Sequence, residues 1–454
     1  MEFTDIHPDR VQVLNDHDLQ SDRSYVLYWM QQSQRAEWNH AFEAAIRLGR
    51  QLDKPVLVGF GLMDDYPEAN IRHYTFMTEG LVELDEAFKK RDCKLVIKLG
   101  HPRAVIEALA KDAAAVVCDR GYLRHQEAWR SDLANSISCP LIQVESDLII
   151  PVEAASNKRE YAARTIRSQL QEKYRDYLEK PARLMPPKSS VYLNVTGEDI
   201  GSVPAFLEKL KLDDSVPVVS DQFKGGTSEA KRRFRNFLKN HLDQYNDDRN
   251  QPHEDHVSHM SPYLHFGQIS PVWLIREIEE NHSGKDAESY VEELLVRREL
   301  AANFCFYEKD YDRFSALPDW ARTTLNEHKD DERKYRYTRE EMENAETHDE
   351  YWNAAMQQMK KRGYLHNHMR MYWGKQILAW TNTPKYAYRT ALYLNNKYFL
   401  DGRDCNSFAN IGWLFGLHDR AWNEREVFGK VRIMTKSGLE RKTDPDKFID
   451  KVED

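Results

Sequence analysis

The first 150 residues alternate short apolar runs with longer amphipathic stretches. Apolar runs at 25–30, 55–61, 94–100, 115–118 and 141–144 predict five strands. Helical spacing of apolar positions predicts helices over 37–52, 72–90, 102–111 and 124–136. Strands without polar alternation, separated by helices, indicate βαβ units: an α/β domain with a parallel, doubly wound sheet covered on both faces. No G-x-G-x-x-G follows the first strand, so the usual dinucleotide site is not indicated there.

Between 150 and 217 the pattern loosens, and Pro151, Pro181, Pro186, Pro187, Pro204 and Pro217 mark a surface connector with one helix over 162–179. Beyond Val218 the strand signals stop. Helical patterns cover 228–245, 271–281, 287–306, 348–361, 367–380 and 385–396. The expected organisation is therefore an α/β domain over 1–150, a connector over 151–217 and an all-α domain over 218–454. Most of the chain's 10 tryptophans lie in the last part. Such a domain can enclose a flat aromatic cofactor, and composition alone fits an ordinary large core equally well.

A length of 454 residues also calls for two domains. No apolar run approaches the roughly 20 residues of a membrane span, and the start, MEFTD, lacks the basic and apolar parts of a signal peptide. A cytoplasmic protein is expected, nucleoid-associated in a prokaryote. Cys93, Cys118, Cys139, Cys305 and Cys405 are scattered, with no C-x-x-C pair, which predicts buried free thiols and no metal site. The net charge of −9 argues against a protein that coats DNA nonspecifically. It leaves room for a local basic face, for which the runs at 231–235, 360–362 and 430–442 are candidates.

Three segments carry candidate chemistry. At 261–270 (SPYLHFGQIS) Ser, His and Gln lie in a turn entering a helix, a natural seat for a diphosphate. The second and third are 366–373 (HNHMRMYW), and 401–406 (DGRDCN) with 416–422 (GLHDRAW). An Arg facing Asp and Asn side chains can hydrogen-bond the polar edge of a flavin and stabilise its reduced anion. Structural ion pairs between helices would give the same pattern.

In order and spacing these segments resemble the class II cyclobutane pyrimidine dimer photolyases of the photolyase/cryptochrome family. The resemblance spans nearly the whole chain. It includes YWM at 28–30, QRAE at 34–37, EYAART at 160–165, RRELAANF at 297–304 and VFGKVR at 427–432. It implies an antenna-type α/β domain joined to a helical domain holding a bent FAD. Tyr245 and Arg249 then match the phosphate or adenosine half, and Ser258, Met260 and Ser261 the diphosphate loop. Arg370, Asn395, Asp401 and Gly402 match the group around the isoalloxazine ring. Asn395 is placed nearest flavin N5, with Asn406 as competitor. Glu293 matches the acidic residue that bonds the dimer bases, and Met371, Trp413 and Trp422 the walls that receive the flipped dimer.

The same resemblance implies an electron route through Trp380, Trp352 and Trp373, in that order outward from the flavin. Trp373 and Trp380, seven apart, share a helical face. The chain departs from the family at Cys405 and Ser407, where it usually reads Pro and Gly, and at His259, often Asn, while Phe408 retains the usual aromatic. The activity implied is light-driven repair of cyclobutane dimers in UV-damaged double-stranded DNA by a monomer, with an antenna chromophore such as a deazaflavin. A cryptochrome-like signalling flavoprotein is the alternative; the chain's end soon after Arg441 favours repair. Repair of (6–4) photoproducts fits the motifs less well. A plain nucleotide-binding or electron-transfer protein would leave the helical half unexplained.

Overall fold

The computed structural model describes residue 3 and residues 5–453. Six strands form one sheet in the order β1-β6-β5-β2-β3-β4. They are β1 (Val11–Val13), β2 (Tyr25–Trp29), β3 (Val56–Leu62), β4 (Lys94–Leu99), β5 (Ala113–Asp119) and β6 (Leu141–Val144). The five expected strands are present and mutually parallel. The strand without a sequence signal, β1, is short and largely exposed, and it lies antiparallel on the sheet edge against β6.

Side-chain alternation assigns the two faces. Val26, Tyr28, Val56 and Val58 pack under helices α1 (His40–Leu52) and α2 (Ile71–Lys89). Tyr25, Leu27, Trp29 and Leu57 pack under α3 (Pro102–Ala110) and α4 (Arg124–Ser136). Helix α1 begins three residues later than its apolar pattern because Asn39 caps it, accepting the Phe42 N–H. The chain runs outward from β2 to β4 and then returns to place β5 on the other side of β2. The ends of β2 and β5 therefore flank the point where a doubly wound sheet offers its crevice. There the Asp119 carboxylate accepts the Gln32 and Ser33 N–H groups at 2.8 and 2.9 Å and fixes the loop after β2.

The connector has two destinations. Its helix, Ala163–Lys173, sends Ile166 and Leu170 into the core formed with Phe234, Trp273 and Tyr290. Later residues return along the edge strand β4, where the Glu198 N–H donates to Ile97 O at 2.7 Å. A Cβ on Gly197 would lie 3.0 Å from that oxygen, so a glycine allows the approach. Bound in this way, the edge is closed to foreign strands.

Buried Arg72 and half-buried Arg298 join the α/β part to the helices. Arg72 donates to Pro217 O at 2.8 Å, Met359 O at 3.1 Å and Tyr398 O at 2.6 Å. Arg298 donates to Asp147 O at 2.6 Å, and Glu299 accepts the Ile149 N–H at 2.5 Å. Helix Asn367–Trp380 is central to the helical part, packed among Glu350–Arg362, Pro384–Tyr398 and Cys405–Leu414. The helix expected over 287–306 contains a π-helical stretch at Glu292–Arg297. Among the described residues no helix is long and apolar enough to cross a membrane. Cys93, Cys118, Cys139 and Cys305 are buried and free, and Cys405 is half-buried.

Candidate functional site

The four residues expected around a flavin ring converge, and Ser261 of the expected diphosphate loop joins them. Arg370, in the first turn of Asn367–Trp380, donates through both terminal nitrogens to the two Asp401 oxygens at 3.0 Å each. Burial opposes the Asp401 charge, but Arg370 and the Ser261 hydroxyl outweigh it and hold the carboxyl below its usual range. Arg370 also lies 3.8 Å over the Phe399 ring and donates to Leu365 O. Asn395, buried at the end of Pro384–Tyr398, donates from Nδ2 to Ser407 Oγ at 3.1 Å and Asn396 Oδ1 at 3.0 Å. Ser407 in turn donates to Asp401 O at 3.0 Å. Thus Ser407, a departure from the family pattern, ties Asn395 to Asp401, which glycine could not do. A Cβ on Gly402 would meet Asn395 O at 2.9 Å, so only glycine allows this close turn. Asn406 instead lines the cleft between the domains.

The residues expected beside the diphosphate and adenosine form a second group. Tyr245 packs edge-on against Tyr290 at 5.4 Å, and the Tyr290 hydroxyl donates to Ser258 Oγ at 2.9 Å. Met260 is buried immediately before Ser261. Arg249 donates to Glu293 Oε1 at 2.9 Å. The π-helical stretch turns Glu293 toward Arg249, while its neighbour Glu292 pairs with Arg167. Glu293 is therefore not a free surface carboxylate. Among the described residues, His259 Nδ1, His366 Nε2, His368 Nε2 and Trp373 Nε1 are buried without a hydrogen-bond partner. Sequence reasoning missed Tyr364, half-buried within electrostatic reach of Arg370, Asp401 and Tyr245.

Trp413 and the half-exposed Trp422 are bridged by Arg432, whose guanidinium lies 5.7 and 5.0 Å from their ring centres. Arg420 lies 4.9 Å over Trp422. Lys375, one turn after Met371, is fully buried; its Nζ donates to Leu414 O at 2.5 Å and lies 5.0 Å from the Trp413 ring. The two arginines and Lys375 lay outside the expected site. Of the basic runs, the first is spent locally: Arg232 and Arg233 bond Glu229, and Lys231 bonds Glu37.

Burial pushes the Lys375 ammonium down to about 7. Between that value and the ordinary lysine range the unfolded chain binds one more proton than the folded chain. Lys375 therefore makes stability rise with pH there, by about 1 kcal/mol per pH unit. Lys375→Met should lose this slope, so its stability relative to the parent should fall steadily from pH 7 to 10 in denaturant titrations. A difference independent of pH would refute the buried ammonium.

The three tryptophans form a series. Trp352 is the middle one, 6.5 Å from Trp373 and 5.7 Å from Trp380 between ring centres, and its Nε1 donates to Trp373 O at 2.8 Å. Trp373, and not Trp380, is the end of the series that lies toward the Arg370–Asp401 pair, whereas the expectation set Trp380 nearest the flavin. Trp373 packs at 6.3 Å against Phe399, the ring beneath Arg370, whereas Trp380 faces Tyr337 and His348. Shared helical face could not reveal direction, because the two ends of one helix lead to different surroundings.

A separate cleft lies at the carboxyl ends of β2 and β3. Trp29, Met30, Phe60, Leu62 and Tyr66 form one wall, and the turn 264–266 with Asp404–Asn406 forms the other. Gln31 Nε2 and Gln34 Oε1, from lining residues, are buried and unpartnered among the described residues.

Comparisons with known proteins give the family of the chain. The family model described as DNA photolyase matches residues 26–187. The chain is 45% identical to a deoxyribodipyrimidine photo-lyase of Methanothermobacter thermautotrophicus over 98% of both chains. It is 38% identical to one of Potorous tridactylus, covering 98% of this chain and 84% of that one. A crystal structure of a class III photolyase from Agrobacterium tumefaciens superposes with a TM-score of 0.73 at 17% identity, over 95% of this chain and 86% of that one. An archaeal photolyase from Sulfolobus tokodaii, solved with two FAD molecules, gives 0.70 at 16% identity, over 94% and 89%.

The chain belongs to the DNA photolyase family. It is an enzyme of the deoxyribodipyrimidine photo-lyase kind, a light-driven lyase acting in DNA repair, in a family of FAD flavoproteins. The residues present fit that cofactor. A paired Arg and Asp, a buried amide, the Gly402 turn and unpartnered ring nitrogens supply the mixture of charge, donors and close backbone that a flavin nucleotide needs.

Proposed function

We propose that the chain repairs cyclobutane pyrimidine dimers in duplex DNA, as a class II enzyme, with FAD held between the Arg370 and Tyr245 groups. When bound, FAD supplies a light-excitable reduced ring that lends one electron to the dimer and recovers it. Arg370, Asp401, Asn395 and Gly402 hold the ring's polar edge. Ser258, Met260 and Ser261 shape the diphosphate turn, with Tyr245 and Arg249 beside it. With Nδ2 committed to Ser407 and Asn396, Asn395 presents Oδ1 as an acceptor. Trp413, Trp422 and Met371 receive the flipped bases by stacking and apolar contact, and Arg420 and Arg432 balance the phosphate charge nearby.

One observation carries this reading: three tasks converge on helix Asn367–Trp380. Arg370 belongs to the expected flavin group, Lys375 lies against the Trp413 ring, and Trp373 begins the indole series. A signalling flavoprotein would leave the Trp413–Arg432–Trp422 face without a task. The test is an absorption spectrum of the purified protein followed by illumination with dimer-containing duplex. Flavin bands with light-dependent loss of cyclobutane dimers support the proposal. Flavin without repair favours signalling, and loss of (6–4) photoproducts alone would change the lesion class.

Glu293→Gln keeps an acceptor for Arg249 but removes the carboxyl. It should lower repair yield about tenfold, the effect of losing one charge-assisted hydrogen bond of about 1.5 kcal/mol, with flavin content retained. Unchanged yield would remove Glu293 from substrate contact. A second chromophore, a deazaflavin or flavin, fits the cleft at the ends of β2 and β3. That cleft lies at the switch of strand order and carries an apolar wall with a few unpartnered amides.

A further inference from the structure

The aromatic series does not stop at Trp380. Tyr337 lies 5.7 Å from the Trp380 ring at 77°, and its backbone N–H donates to Trp380 O at 3.0 Å. His348 lies 5.0 Å from the same indole. The Tyr337 hydroxyl is 2.9 Å from His348 Nδ1 and accepts the His348 backbone N–H at 2.9 Å. In the tautomer that carries its proton on Nε2, His348 Nδ1 accepts the hydroxyl's own hydrogen. The His348 residue is exposed, so its other ring nitrogen has access to water. A phenol that can give its proton to a base loses an electron far more readily than one that cannot. No other function assigned above uses this pair.

We propose that Tyr337 is the terminal electron donor behind Trp380, oxidised as its phenolic proton passes to His348. This rests on the reading of Trp373, Trp352 and Trp380 as an electron route. Once light has drawn one electron from Trp380 toward an oxidised flavin, Tyr337 replaces it. The phenolic O–H bond breaks, the proton moves to Nδ1, and a neutral tyrosyl radical remains while His348 passes a proton to water. A soluble thiol returns one hydrogen atom to the tyrosyl oxygen and is itself oxidised by one electron. Moving the missing electron outward to a neutral radical prevents its prompt return.

Two observations favour this pair. Partial burial of the His348 ring, with Lys334 and Lys436 nearby, holds its pKa below the ordinary value although Asp349 works the other way. The imidazole is then neutral at pH 7 and able to accept a proton. Tyr335 also stacks on His348, at 3.5 Å, but the Lys334 ammonium lies 5.2 Å over its ring and opposes the loss of an electron there.

The experiment is a laser flash on the oxidised flavin-containing protein, read by transient absorption and by electron paramagnetic resonance after labelling with ring-deuterated tyrosine. The surviving protein radical should be tyrosyl, with hyperfine splitting changed by the label. Tyr337→Phe should leave a tryptophanyl radical with a shorter lifetime. His348→Gln keeps a hydrogen-bond acceptor but is no base, and should slow the appearance of the tyrosyl signal. A tryptophanyl radical in the parent, unaffected by Tyr337→Phe, overturns the tyrosine step alone, and an unaltered rate in His348→Gln overturns the proton transfer. Undiminished flavin photoreduction in Trp380→Phe would instead overturn the tryptophan route beneath it.

Discussion

Arg370→Leu should give a protein that purifies colourless and is less stable than the parent by about 3 kcal/mol, the cost of leaving one partner of a buried pair behind. Asp401 would be left without both guanidinium contacts, only 8% exposed and facing the Ser261 hydroxyl. Its carboxyl would then rise toward protonation, since burial is the opposing influence that Arg370 now overcomes. Arg370→Lys should recover part of the stability, because one ammonium can pair with Asp401 but cannot span both oxygens. The measurements are flavin absorbance per protein and the midpoint of denaturant unfolding. A stable Arg370→Leu variant with full flavin content would separate the Arg370–Asp401 pair from the cofactor.

Trp352→Phe should reduce photoreduction of oxidised flavin to the level of background, because Trp352 is the indole that contacts both others. Phenylalanine keeps an aromatic of smaller size but is much harder to oxidise, and it cannot donate to Trp373 O as the indole does. Repair by enzyme reduced chemically beforehand should persist, which distinguishes a broken electron route from a collapsed core. Continuous illumination with a thiol present, followed by the loss of oxidised flavin absorbance, makes the measurement. Photoreduction at the parent's rate would show that electrons enter by another path.

The strands of the α/β domain were legible because parallel, doubly covered strands such as β3 and β5 are buried along their whole length and stand out as unbroken apolar runs. Strand β1 was invisible for the opposite reason: its residues lie on an edge, where one antiparallel partner suffices for any sequence. In the helical part the chemistry-bearing segments could be located, but not their pairing. Arg370 and Asp401 are 31 positions apart, and nothing in either segment states that they meet. Arg432 was seen only as part of a basic run, since its value comes from two rings brought together from separate turns. The direction of the tryptophan series likewise depends on Phe399, which has no sequence relation to the three indoles.

The two arginines that join the two parts of the molecule aim at main-chain carbonyls: Arg72 at those of Pro217, Met359 and Tyr398, Arg298 at that of Asp147. Every amino acid carries such an oxygen. Replacement on the receiving side therefore leaves the bond intact as long as the backbone keeps its path, while loss of the Arg72 guanidinium releases several carbonyls together. The seam is consequently tolerant of drift on one bank and intolerant on the other, and the two halves can diverge at different speeds without coming apart.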